Sequence, residues 1–115
     1  MHTTKAHAPA STGAIAQQRS RVLRAIKGHT KGHEITAPDI ARACGIDEAN
    51  WTTCTNTRNV IRSLVEEGYP ICANSRGHYM PRNEEELEEY IENLYSRADS
   101  IHRRIFAIIR HHLEV

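Results

Sequence analysis

Arg58 and Arg62 stand four residues apart, with Asn59 between them and Thr55 and Asn56 just ahead. A guanidinium can fork onto the O6 and N7 of guanine, and an asparagine amide onto the N6 and N7 of adenine. On a helix, spacings of three and four bring side chains to one face. Thr55, Asn56, Arg58, Asn59, Arg62 and Ser63 would then form one polar surface that meets no acid before Glu66. The chemistry on offer is hydrogen bonding to base edges. The plainer alternative is that Arg58 and Arg62 merely solvate a helix. A second polar group follows at Asn74, Ser75 and Arg76, with His78 close behind. Side chains of this kind reach phosphate or the minor groove, although Asn-Ser-Arg-Gly is also simply good turn chemistry.

Other chemistries lack their residues. The chain has no G-x-S-x-G, no phosphate-binding glycine loop and no H-E-x-x-H, so no enzyme activity is expected. Of eight histidines, His29 and His33 are four apart and Cys44 follows eleven later, but no second half stands at zinc spacing. No metal and no cofactor are expected. The three cysteines, Cys44, Cys54 and Cys72, form no C-x-x-C pair. They read as small apolar fillers in a protein of the reducing cytoplasm. No apolar run reaches the roughly 20 residues of a membrane span.

With 115 residues, 39% hydrophobic and 25% charged, the chain has the composition of one small globular domain with an extension. Its net charge of +1 conceals a division. Up to Arg82 eleven Lys/Arg face six Asp/Glu; from Asn83 onward four Arg face eight Asp/Glu. A basic front and an acidic back suggest different partners for the two parts.

The pattern predicts the following elements. Met1 to Gly13 is small, polar and without periodicity, and reads as a disordered tail in which Lys5 could serve as an arm. Ile15 to Lys27 reads as a helix with Ile15, Val22, Leu23 and Ile26 on one face. Its basic positions Arg19, Arg21, Arg24 and Lys27, with Lys31 beyond, could meet phosphate or simply solvate the helix. His33 to Thr36 reads as a very short strand. A second helix follows from Pro38 to Cys44, capped by Thr36 and closed by Gly45. A third runs from Asn56 to Glu67, capped by Thr55, with Val60, Ile61, Leu64 and Val65 inward. Tyr69 to Ala73 and His78 to Met80 form a hairpin about the turn Asn74 to Gly77. Asn83 caps a last helix that runs to about His112.

This order, mainly helical with a three-helix core and a β-hairpin, resembles the winged helix-turn-helix domain over residues 14–82. The resemblance is carried by Ile40-Ala-Arg-Ala-Cys-Gly-Ile46, by Val60-Ile-Arg-Ser-Leu-Val-Glu-Glu-Gly-Tyr-Pro-Ile-Cys72 and by Ser75-Arg-Gly-His-Tyr79. Similar domains occur in short bacterial phage and prophage proteins and in the N-terminal part of the biotin operon repressor. The resemblance implies double-stranded DNA binding in a bacterial or phage regulator of transcription, with the third helix in the major groove and the hairpin as wing. It also leaves room for a protein-interaction module of a replication or packaging complex, docked on a larger partner with little DNA affinity of its own. One departure stands out. Between Gly45-Ile46 and the stripe beginning at Val60 the chain is about five residues longer than usual, around Glu48 to Cys54. Trp51 lies in that insertion and is expected to anchor it against the core; stacking on a base is the alternative.

Residues 83–115 carry Leu87, Ile91, Leu94, Ala98, Ile101, Ile105 and Ile108 in steps of four and three, a heptad seam. A second partial row lies at Phe106, Ile109 and Leu113. A helix of this length is too long for one small domain to cover. The expected outcome is a homodimer through this helix; folding back over its own domain is the competing arrangement.

Overall fold

The computed structural model describes residues 3–114, with side chains described from Ile15 to Leu113. It is mainly helical with one small antiparallel hairpin. The order is α1 (Thr3–Lys27), α2 (Ala37–Cys44), α3 (Thr55–Glu67), β1 (Cys72–Asn74), β2 (Gly77–Tyr79) and α4 (Glu84–Glu114). The chain divides into two compact units, 1–82 and 83–115. No helix among the described residues is long and apolar enough to cross a membrane.

In the first unit, α1, α2 and α3 close over a core of Val22, Ile26, Ile40, Ala41, Cys44, Ile46, Ile61, Leu64 and Ile71. Full burial of each large aliphatic there is worth about 1.5–3 kcal/mol. Ala41 is fully buried, a small side chain where helices approach closely. The ends of α2 follow local chemistry. Thr36 accepts a hydrogen bond from the Asp39 N–H at 3.3 Å, and Pro38 sits in the first turn. Gly45 takes the left-handed conformation (φ 68°), and the Ile46 N–H returns to the Ala41 carbonyl at 2.9 Å. That reversal drives Ile46 into the core.

The hairpin pairs Cys72 with Tyr79, Ala73 with His78 and Asn74 with Gly77, leaving Ser75 and Arg76 as a two-residue tip. Ile35 adds a third, one-residue rung: it exchanges two hydrogen bonds with His78, of 3.0 and 2.8 Å. Gly77 has φ 141°, and a Cβ there would lie 2.4 Å from the Ile35 carbonyl oxygen. Only glycine fits this close approach of backbones. In the second unit, the Asn83 side chain accepts from the Glu86 N–H at 2.9 Å and starts α4, with Glu84, Glu85 and Glu86 in its first turn.

Several sequence expectations need correction. Helix α1 begins at Thr3, so the segment expected to be a disordered tail is helical from there on; Ala6, Ala8 and Ala10 are strong helix formers. Met1, His2 and the side chain of Lys5 lie outside the described residues. Ile15 is 54% exposed rather than part of the buried face. The inward face of α3 is Thr57, Ile61 and Leu64, with Val60 half-buried and Val65 exposed. The strands are displaced by one to three residues, because Pro70 has no N–H to donate and pairing begins only at Cys72.

Replacing Ile26 with alanine should cost about 2–5 kcal/mol in urea unfolding. Val65→Ala should stay within about 0.5 kcal/mol. Gly77→Ala should cost about 1–3 kcal/mol in backbone strain, increased by the clash with Ile35. A neutral Gly77→Ala would contradict the three-rung arrangement.

Candidate nucleic-acid interface

With Thr57, Ile61 and Leu64 turned inward, α3 exposes Thr55, Asn56, Arg58, Asn59 and Arg62, while Ser63 is half-buried. These five lie together on the outer surface of the helix. Two are partly committed to their own chain. The Asn56 Nδ2 donates to the Asp47 carbonyl at 2.8 Å, and the Arg58 Nε donates to the Thr53 carbonyl at 2.6 Å. Arg58 keeps its terminal NH groups for another acceptor. Arg62 reaches the Asn59 side-chain oxygen at 3.4 Å, a loose contact within the same face. Asn59 and Arg62 are therefore the side chains best placed for base edges, and Asn56 is less available than its type suggests.

The insertion before α3 is what holds this helix. Residue Cys54 precedes the first helical turn in a left-handed conformation (φ 47°) and offers no side-chain cap. Thr55, expected to be the cap, is instead the first helical residue. The cap comes from Glu48. Its carboxylate accepts from the Asn56 N–H at 3.1 Å, the Thr57 N–H at 2.7 Å and the Thr57 hydroxyl at 2.5 Å. These are donors that a helix start leaves without intrahelical partners, and a negative charge there is favourable. Desolvation pushes the Glu48 carboxyl up, but the hydrogen bonds from Thr57 and Asn56 together outweigh it and hold the group below its ordinary value.

The rest of the insertion is a tight turn around Asn50. Its side-chain oxygen accepts from the N–H groups of Thr52 (2.8 Å) and Thr53 (3.4 Å), and its carbonyl from the Cys54 N–H (2.8 Å). The Cys54 side chain is fully buried. Cys54 and Glu48, not Trp51, anchor the segment. Trp51 is 42% exposed, with the Arg42 guanidinium 5.0 Å from its ring centre. The pairing is a surface cation–π contact.

At the hairpin tip, Asn74, Ser75 and Arg76 are exposed. The Asn74 oxygen accepts from the Arg76 N–H at 2.9 Å, and its Nδ2 donates to Glu34 at 2.8 Å. Glu34 also accepts from the Gly32 N–H at 2.9 Å. The Asn74 and Gly32 hydrogen bonds, helped by the Arg76 charge, hold the Glu34 carboxyl down at about 2. Asn74 is thus a brace for the hairpin, while Ser75 and Arg76 form its outward tip. His78 does not belong to that tip. It is buried, as is Tyr79 beside it, and its Nδ1 has no hydrogen-bond partner. Burial and the nearby Arg58 charge lower its pKa, against a backbone hydrogen bond with Ile35. A cleft of about 180 Å³ lies between hairpin and helices, bounded by Thr36, Pro38, Arg58, Ser75, Arg76 and His78.

Of the basic residues on α1, Arg19 is engaged with Glu67 at 2.5 Å, whereas Arg21, Arg24 and Lys27 are exposed. No group of three His, Cys, Asp or Glu that could hold a metal ion occurs among the described residues. All three cysteines are buried thiols. Comparison with protein-family models, with curated proteins and with solved structures finds no match.

Two acid-induced losses of stability should be separable. Below pH 6.5 the unfolded chain takes up a proton that buried His78 resists, so stability should fall with pH, by at most about 1.4 kcal/mol per pH unit. In His78→Gln, urea unfolding between pH 7 and 5.5 should lose this part of the slope; an unchanged slope would place His78 in water. Below about pH 4.5 a second loss should follow, as the unfolded chain protonates carboxyls that Glu34 and Glu48 keep ionised when folded. Glu48→Gln should reduce that lower branch and leave the upper one intact.

Proposed function

We propose that the chain is a winged helix-turn-helix protein that binds double-stranded DNA sequence-specifically as a homodimer, in a bacterial or phage regulator of transcription. The order helix, one-residue rung, helix, helix, hairpin supports the domain assignment. The observation that carries the function is the outer face of α3. It presents Arg58, Asn59 and Arg62 to solvent, with an exposed Arg76 at the tip of the hairpin that follows. A helix of this width fits the major groove, where arginine and asparagine are the side chains suited to guanine and adenine. Ser75 and Arg76 would reach the backbone alongside.

Assembly through α4 supports a two-fold protein on a two-fold site. Ile91, Leu94, Ile101, Ile105 and Ile108 are between 39% and 63% exposed. Covering them recovers roughly 1 kcal/mol apiece, about 10 kcal/mol for the pair. Association costs about 4–15 kcal/mol, so a dimer that dissociates on dilution is expected. Ile101→Glu in the full chain should sediment as a monomer at concentrations where the native chain is dimeric. A dimer that survives the substitution would place the contact elsewhere.

Binding to a fluorescent duplex should weaken steeply as salt rises, as counterions are released from neutralised phosphates. Arg58→Ala with Arg62→Ala should lower affinity at least tenfold, since each base contact is worth about 1–3 kcal/mol, while Arg97→Ala on α4 should not. Equal losses would misassign the recognition face. No binding even at about 50 mM salt would favour a module that docks a larger protein partner.

A further inference from the structure

The charge on α4 is polarised along its length. Residues 84–99 hold seven acids and one arginine; residues 100–114 hold three arginines and three histidines against one glutamate. Part of this complements the helix's own dipole, but that effect fades within the first and last turns. It covers Glu84, Glu85 and Glu86 at one end and His111 and His112 at the other. It does not reach Glu88, Glu89 and Glu92, or Arg103 and Arg104. The Asp99–Arg103 ion pair lies at the junction of the two halves.

Resting on the dimer reading above, we propose that α4 pairs antiparallel with α4 of a second copy. Paired helices lie 8–10 Å apart, about one screening length at moderate salt, so the charges of one helix act on the other. A parallel pair would set the glutamate-rich stretches of both copies side by side, and the arginines likewise. An antiparallel pair sets each acidic half against the partner's basic half. The apolar seam accepts this arrangement without a gap. With Ile91 opposite Ile108, Leu94 opposite Ile105 and Ala98 opposite Ile101, every one of these exposed positions meets another, and each contact recurs across a two-fold axis. Leu87, the one seam residue that is half-buried within its own chain, faces His112 in this register, so the apolar contact stops at Ile91 and Ile108.

The orientation sets the reach of the dimer. Each domain joins α4 at its acidic end. In the antiparallel pair the two junctions lie at opposite ends of the rod, roughly 45 Å apart for 31 residues at 1.5 Å each. A parallel pair would hold them adjacent.

Spin labels test this in the full chain. Ser100→Cys and Glu88→Cys are each labelled, with the unsubstituted chain as background control for its three buried thiols. Dipolar distances are then measured between copies. Ser100 lies near the centre of the register, so its label should give a short distance in either orientation. The Glu88 labels should stand at least about 35 Å apart along the axis if the pair is antiparallel, and as close as the Ser100 labels if it is parallel. A short Glu88 distance would overturn the orientation while leaving the dimer standing. No short distance at Ser100 would overturn the pairing itself.

Discussion

The roll of α3 about its own axis is fixed by one polar contact inside an apolar face. Thr57 is fully buried, and a buried hydroxyl without a partner is costly. Glu48 removes that cost by accepting from the Thr57 hydroxyl and from two backbone N–H groups at the helix start. Rotation by one residue would turn Thr57 out, bring Arg58 inward and break all three bonds. The same contact thus keeps Arg58, Asn59 and Arg62 facing solvent and ties the insertion to the helix it precedes. A longer connection between α2 and α3 is tolerable because its two ends are held, at Glu48 by a carboxylate and at Cys54 by burial.

The hairpin is set by related means. Its backbone is pinned to the Ile35 rung, where Gly77 permits an approach that no other residue would. Its tip is braced by Asn74 on Glu34. Glu34 and Glu48 do similar work on different elements: each is an exposed or half-exposed carboxylate that gathers N–H donors. Glu34 and Glu48 are therefore not free charges: each is tied to the groups that shape the hairpin or the start of α3. In the proposed dimer, assembly falls to the other unit, where the apolar seam would supply attraction and the charge gradient direction.

Much of the fold was legible in the sequence because the signals were local. Thr36, Pro38 and Gly45 bounded α2, Asn83 began α4, and Asn-Ser-Arg-Gly marked the hairpin turn. Less legible were features that depend on contacts distant in sequence. Glu48 lies eight and nine residues before its partners, and only the lack of a capping side chain at Cys54 could have pointed to it. The inward face of α3 was read from its apolar residues Val60, Ile61, Leu64 and Val65, and burial of the polar Thr57 rotates it away from Val65. His78 looked like part of a polar tip, but its backbone is paired on both sides, to Ala73 and to Ile35, and its side chain is buried. Trp51 was expected inside because of its size, yet the small Cys54 fills that place. Of the residues proposed to touch DNA, those on α3 and at Ser75 and Arg76 are exposed, Asn56 and Asn74 are braced within the chain, and His78 is turned away.

The most direct measurement is selection from a pool of random DNA duplexes by the full chain, followed by sequencing of what is retained. A shared short motif, lost when Arg58 and Arg62 are replaced by alanine, is the expected result. A retained pool with the same composition as the starting one, at a salt concentration where the chain is folded and dimeric, would contradict base recognition by α3.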